Sequence, residues 1–581
     1  MNRHIARSAV TLVLIVACTI LGYAQAGPPS TPAVPPRRPA NFQPFRYEYT
    51  TEQLKEKFSE GQMKRAAAAW KEIQNVNDKG PWKPTWESIN KHQAPEWFLD
   101  AKLGIMVNWG LHSVPAYGVF VWVGGPFYPD AYGCGPYGRG HLNQFYGADF
   151  KYDDFFPLFR AEHYDPDAWM ELFQQAGARY VIPMSKHHDG VAWWDSAWTQ
   201  RSFARMGPKR DLLTPLVEAA RRRGIKTALY FCYEEYAAAM LDKSGQPVAR
   251  IWDFGPVPSE KLDEANRRRI SGSIPVSNYY DQYMMPLVKE MIDRFDPDGL
   301  WMDGAWMTPT KTLRSRELAA YFYNKSQGRK EVYVNDRYGS DALNKYGDVL
   351  LDEYRILNKP WLTHPWSECT TMSRSFAYNR EETDQSFMPP VNLVHMFIDV
   401  ISQNGNLELL IGPDSSGQIP QPAVDRLKAL GAWIKANSEA VYGTRILPPY
   451  HEAVKVVLQF KDGDVCYMRS KDGKFAYAFC EQWPGSYLIL KGVRAAKGAT
   501  ITMLGVAQPL TWQQDEAGLT INIPDVLQDE KARPCKYAWV VKIPMQLDHV
   551  TTPPIVTTEL PLLGTFVPLS IPNRRTNTPP V

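Results

Sequence analysis

Lys186-His187-His188-Asp189-Gly190 and Leu300-Trp301-Met302-Asp303-Gly304 each end an apolar run with polar side chains and a glycine. Each reads as a strand emptying into a turn. Two imidazoles and a carboxylate would then converge on the rim where α/β barrels keep their chemistry. That grouping points to hydrolysis of a sugar bond, which needs two carboxyl groups flanking the bond to oxygen. One attacks carbon or activates water; the other protonates the departing oxygen. Asp303 is the first candidate: it ends a predicted strand, lies between Trp301 and Trp306, and is followed by Gly304, which leaves a ligand room. The residues alone leave its partner open among Glu235, Glu353, Glu368 and Asp336. His187 and His188 are neighbours and would face opposite sides of a regular strand, so hydrogen bonding to a ligand suits them better than chelating one metal. His-Glu-x-x-His, paired Cys-x-x-Cys, phosphate-binding Gly loops and Gly-x-Ser-x-Gly elbows do not appear where their chemistries require them, so neither metal nor cofactor is expected.

The elements that must position these groups alternate in type from about Leu103 to Leu430. Strand candidates are 104–108, 180–184, 227–231, 300–303, 332–335, 349–352 and 407–411, with amphipathic helices between them such as Pro166 to Ala176 and Leu212 to Arg223. This is the pattern of a (β/α)8-like barrel in an α/β protein, closed or degenerate, because the count falls one strand short. After Tyr442 the texture changes to alternating runs with hairpin signals at Val454 to Phe460, Lys474 to Cys480, Ser486 to Leu490 and Ala538 to Ile543. These predict a C-terminal antiparallel β-sandwich.

The resulting organisation is a signal peptide over 1–26, a Pro-rich leader over 27–50, a catalytic barrel with an N-terminal helical extension over 51–442, a sandwich over 443–548 and a Pro/Thr-rich tail over 549–581. Arg3 and Arg7, the apolar stretch Ala9 to Leu21 and Ala24-Gln25-Ala26 have the form of a cleaved export signal, which implies a secreted or periplasmic protein. Lipid anchoring through Cys18 ranks second, since the apolar run continues past it. Asp472-Gly473 reads as a hairpin turn that sets Cys466 opposite Phe479, which disfavours a Cys466–Cys480 bridge. A net charge of +3 from nearly equal numbers of acids and bases carries no nucleic-acid footprint, and no membrane span is expected in the mature chain. Aromatic residues reach 13%, and those in loops could stack on sugar faces.

Seven motifs, in order, carry a resemblance to a known family. They are Trp109-Gly110-Leu111-His112-Ser113-Val114-Pro115, Tyr152-Asp153-Asp154-Phe155, Lys186 to Gly190, Gly207-Pro208-Lys209-Arg210-Asp211, Leu300 to Gly304, Asn335-Asp336-Arg337-Tyr338-Gly339 and Ser375-Phe376-Ala377-Tyr378-Asn379. Together, over roughly residues 95 to 445, the chain resembles the α-L-fucosidases of glycoside hydrolase family 29. The resemblance implies a retaining mechanism with Asp303 as nucleophile, Glu353 as acid/base with Glu368 as second choice, and sugar contacts from His187, His188, Tyr230, Trp301 and Arg337. The implied partner is a fucosylated glycan or oligosaccharide.

The chain departs from the family at three places. Asn108-Trp109-Gly110 stands where the family usually reads His-Trp-Gly, Pro126-Phe127-Tyr128-Pro129 where it reads Glu-Trp-Tyr-Pro, and Trp366-Ser367-Glu368 where Glu directly follows Trp. A hydrogen bond lost to a buried hydroxyl costs on the order of 1–3 kcal/mol. Replacement contacts are therefore expected from Asn108, His112, Asn143 or the insert from Tyr117 to Tyr146, or else a related sugar such as L-galactose. The alternative reading is a catalytically weakened carbohydrate-binding protein.

Overall fold

The computed structural model describes residues 37–116, 144–235, 237–251, 255–257, 272–304, 308–353, 364–373, 375–447 and 465–545. The export signal, the tail, the hairpin candidate Val454 to Phe460, Asn143, Trp306 and nearly all of the Tyr117 to Tyr146 insert lie outside them.

Eight parallel strands form the central sheet: β1 (Leu103–Val107), β2 (Tyr180–Pro183), β3 (Lys226–Cys232), β7 (Gly299–Asp303), β8 (Tyr333–Val334), β9 (Leu350–Glu353), β10 (Trp366–Thr371) and β11 (Gly405–Ile411). Between β3 and β7 the chain makes an antiparallel excursion, β4 (Ala237–Leu241), β5 (Pro247–Ile251) and β6 (Gly255–Val257). The sheet order is β8-β7-β3-β2-β1-β11-β10-β9. Its outer members meet at a parallel bridge between Asn335 and Val349, where the Asp348 N–H donates to the Val334 carbonyl (2.9 Å) and the Asp336 N–H to that of Val349 (3.0 Å).

The strand missing from the sequence count is β10. Trp-Ser-Glu-Cys-Thr-Thr is not an apolar run, yet every residue of it is buried between β9 and β11. β8 is only two residues long, and the loop from it to β9 contains no helix. Carboxylates hold that loop: Asp336 accepts from the N–H groups of Asn344 and Leu351, and Asp348 from the N–H of Val334 and the hydroxyl of Tyr323.

The pleat sorts side chains into two layers. Met106, Ile182, Tyr230, Trp301, Leu351, Cys369 and Leu410 fill the barrel interior. Their strand neighbours Ile105, Val181, Leu229, Leu300, Leu350, Trp366 and Leu409 meet the outer helices. Those helices include Pro166–Gln175, Leu213–Arg222, Met285–Phe295, Ser315–Ser326, Pro390–Ser402 and Gln421–Ala436. The first begins with Pro at N1 beneath an Asp165 side chain that caps the Ala168 N–H.

Beyond the barrel, β12 (Thr444–Ile446), β13 (Val465–Ser470), β14 (Phe475–Cys480), β15 (Tyr487–Leu490), β16 (Thr502–Met503), β17 (Trp512–Asp515), β18 (Gly518–Asn522) and β19 (Trp539–Pro544) build two antiparallel sheets. Their orders are β12-β13-β14-β19-β16 and β15-β18-β17. Cys466 pairs with Phe479, and Cys466 and Cys480 are free thiols. The sandwich docks on the barrel helices, with Trp433 Nε1 donating to the Ala538 carbonyl at 2.9 Å.

The end of the Pro-rich leader is more fixed than a flexible linker. Phe42 lies against Phe150, Phe45 against Phe156, and the Phe45 N–H donates to Asp154 at 2.8 Å. Its aromatic residues, inconspicuous among prolines, bury apolar area that an open linker would leave in water.

Candidate active site

Asp303 ends β7 with its side chain on the inner face, two residues after Trp301. Its Oδ2 accepts from the Tyr230 hydroxyl at 2.8 Å, and Arg337 Nη1 lies 3.5 Å from its Oδ1. The same Nη1 lies 3.0 Å from Oε1 of Glu353, on the inner face at the end of β9. The two carboxyl oxygens can be no farther apart than these contacts laid end to end, a bound equal to the short limit for inverting glycosidases, roughly 6.5 Å. Burial opposes the charge on Arg337, but Glu353 and Asp303 outweigh it and hold the guanidinium ionised, above its usual range. Gly304 is required at this corner. Its φ is +72°, and a Cβ there would fall 2.4 Å from Cys232 Sγ and 3.2 Å from His188.

The turn carrying the histidines is braced from below. Lys186 is fully buried, paired with Glu235 at 2.8 Å and donating to the Cys232 carbonyl at 3.0 Å. Tyr283 donates to the same Glu235 carboxyl. Arg201 is buried in a bidentate pair with Asp153 and donates from Nε to the Asp189 carbonyl. His187 lies parallel to Tyr230, with ring centroids 5.6 Å apart, and nearly perpendicular to His188 at 87°. Burial, then the neighbouring His188, His112 and Lys186, drives its imidazole well below the usual range, so it is neutral at neutral pH. His188 Nδ1 sits 2.9 Å from the Glu234 carbonyl; in the tautomer that donates there, Nε2 is an acceptor.

The other proposed partners of Asp303 are occupied elsewhere. Glu235 is the buried counter-charge of Lys186, and Asp336 holds the barrel seam. Glu368 shares the outward face of β10 with Trp366, one residue out of phase with inward-facing Cys369. The pleat therefore directs it away from Asp303, and sequence spacing could not reveal this without knowing that β10 is a strand.

Across from Asp303, Asn108 follows β1 on the inner face and donates from Nδ2 to the Phe376 carbonyl at 3.0 Å, while its buried Oδ1 has no partner among the described residues. His112, in a short 3₁₀ turn, has its ring 6.4 Å from that of His187 and a buried Nε2 with no partner among the described residues. Burial pulls its imidazole down to about 4.

One buried acid went unremarked in the sequence. Glu408 stands alone in the apolar run of β11 and points inward with Leu410. It accepts from Trp301 Nε1 at 2.8 Å and from the Tyr180 hydroxyl at 3.1 Å, and burial raises its carboxyl to about 7. A charged residue interrupting a core strand was the available signal.

The alpha-L-fucosidase family pattern matches residues 69–439, and that of the alpha-L-fucosidase C-terminal domain matches residues 460–544. The chain belongs to the α-L-fucosidase family. It is 31% identical over 473 residues to the human plasma alpha-L-fucosidase, covering 79% of this chain and 92% of that one. Identity to the mouse tissue alpha-L-fucosidase is 31% over 469 residues, 79% and 94% of the two chains. The crystal structure of the Thermotoga maritima alpha-fucosidase superposes with a TM-score of 0.63 at 28% identity, covering 80% of this chain and all of that one. The barrel and the sandwich are those of an α-L-fucosidase-type glycoside hydrolase. Its substrates are accordingly carbohydrates, and no helix among the described residues is long and apolar enough to cross a membrane.

Proposed function

We propose that this chain is an exported α-L-fucosidase that releases α-linked L-fucose from glycans with retention, through a covalent glycosyl-enzyme. The observation that carries the reading is the single guanidinium nitrogen of Arg337 set between the carboxyls of Asp303 and Glu353. In the first step an Asp303 oxygen attacks the anomeric carbon. The bond to the aglycone oxygen breaks, and Glu353, protonated, gives that oxygen its proton. Asp303 is then an uncharged ester and Glu353 a carboxylate, so Arg337 faces one negative charge before and after the step. Water, deprotonated by Glu353, attacks the same carbon and frees Asp303. A preorganised cation that serves either carboxylate needs no solvent rearrangement as the charge moves between them.

Tyr230 orients Asp303 through its hydrogen bond, and Trp301, the neutral His187 and His188 supply apolar and hydrogen-bonding contacts to the sugar ring. The Thermotoga maritima relative has been crystallised in complex with fucose and with a mechanism based inhibitor, in keeping with this reading. Following the first-formed anomer by NMR during hydrolysis of an aryl α-L-fucoside tests it: the α-anomer of L-fucose should appear first. Initial β-anomer would establish inversion, and no turnover at all would favour a binding protein instead.

A second glycone, L-galactose, is supported by Asn108 and His112. Each offers a buried acceptor, and a glycone with one more hydroxyl brings one more donor.

A further inference from the structure

Tyr180 and Trp301 reach Glu408 from opposite directions. Gly104 on β1 pairs with both Tyr180 on β2 and Glu408 on β11. A Cβ at Gly104 would fall 2.4 Å from the Tyr180 ring, so only the missing side chain lets the phenol cross β1 to the carboxylate. From β7, the Trp301 indole donates to the other oxygen. That indole is central to the site: it stacks on Tyr230 with centroids 5.2 Å apart, and the Arg337 guanidinium lies 5.6 Å from its centroid. Tyr230 and Arg337 both contact the Asp303 carboxylate.

We propose that Glu408 is a positioning residue for the reaction at Asp303, fixing the plane of the Trp301 indole against which both Tyr230 and Arg337 are set. An indole N–H can only donate, so Oε2 of Glu408 must stay an acceptor; a phenol can donate or accept, so any proton on Glu408 goes to Oε1. The tether to Trp301 thus holds in either protonation state. Apolar burial alone would not require it: an aliphatic side chain at 408 fills the same space but leaves the buried N–H and O–H unpaired, which is costly. A planar ring turns about a broad torsion unless something fixes it, and here the fixing group is the carboxylate.

The inference rests on Asp303 as nucleophile, and its test is independent of that assignment because it compares variants that all retain Asp303. The variants are Glu408→Gln, Glu408→Leu, Trp301→Phe and the Glu408→Leu/Trp301→Phe double, assayed on an aryl α-L-fucoside. Gln keeps an acceptor for the indole and a donor for the phenol, so E408Q should retain most of the wild-type kcat. E408L should lose kcat by about 10²-fold, the scale of a small misplacement at a reacting centre, with KM little changed. W301F lacks the indole N–H, so adding E408L to it should cost little more. Losses that multiply in the double variant, or a full kcat in E408L, would overturn the proposal. Should E408L fail to fold, W301F carries the test: a fall in kcat at steady KM supports the tether, and a rise in KM alone refutes it.

Discussion

The two sides of the pocket differ in how completely their polar groups are used. Around Asp303, the hydroxyl of Tyr230 donates to the carboxylate, and the guanidinium of Arg337 contacts both that carboxylate and the carboxyl of Glu353. Across from them, at the β1 rim, Asn108 Oδ1 and His112 Nε2 are buried with no partner among the described residues. A buried acceptor without a donor is costly and rare in native proteins, so such a pair invites a ligand's hydroxyls. On the proposed mechanism, one side handles charge that moves within the protein and the other meets hydrogen atoms that arrive with the substrate. Chemistry and recognition are therefore separable by mutation.

Removing Asp303's nucleophilic oxygen is the strongest way to expose that division. Asp303→Asn should lower kcat/KM for aryl α-L-fucosides by about 10⁴-fold or more, the scale of losing a nucleophile. Near-normal turnover would show that the saturated side is not where bonds break.

Arg337→Met leaves two carboxyls facing each other without their cation. Breaking a buried pair costs on the order of 3–5 kcal/mol, so thermal denaturation should show a lowered Tm, along with a collapsed kcat. An unchanged Tm would mean that Asp303 and Glu353 are better solvated than their burial implies.

Beneath the same side, Glu408 makes stability depend on pH. Burial pushes its carboxyl up to about 7 from a usual 4.5, against the opposing pull of the donors Trp301, Tyr180 and Ser367 and of nearby Arg337. An acid raised on folding contributes stability that is fully present below the unfolded value and is lost as pH rises through the folded one. The protein should thus weaken between about pH 4.5 and 7, by roughly 3 kcal/mol in total. Denaturant titrations of E408Q should lack that component. If wild type and E408Q decline in parallel, the buried acid is already compensated.

The smallest effect belongs to the recognition side. His112→Phe and Asn108→Ala should each cost about 1–3 kcal/mol in kcat/KM, and only toward glycones that carry the matching hydroxyl. A deoxy-sugar series on wild type and variants forms the cycle: the hydroxyl whose removal hurts the wild type but not the variant is the one accepted there. Additive losses at every ring position would leave these acceptors without a role in recognition.

Sequence reading reached the barrel because its apolar strands announce themselves, and it placed Asp303 at a strand end because a carboxylate between a tryptophan and a glycine after an apolar run is conspicuous. It missed β10, whose inward Ser367 and Cys369 lack the apolar signature of a core strand. That omission kept Glu368 in contention, since the face of a residue cannot be assigned on an unrecognised strand. Glu408 escaped notice for the opposite reason: its neighbours are so apolar that the strand was read and its one acid was not. The ordering of Phe42 and Phe45 depends on docking against Phe150 and Phe156, distant contacts that local composition does not encode.

The most direct test of the central claim is to trap the enzyme with a 2-fluoro-fucosyl fluoride and map the labelled peptide by mass spectrometry. The 2-fluoro group slows both steps and the fluoride leaving group restores the first, so an ester should accumulate on Asp303. A label on any other residue, or inactivation with no covalent label, would contradict the account.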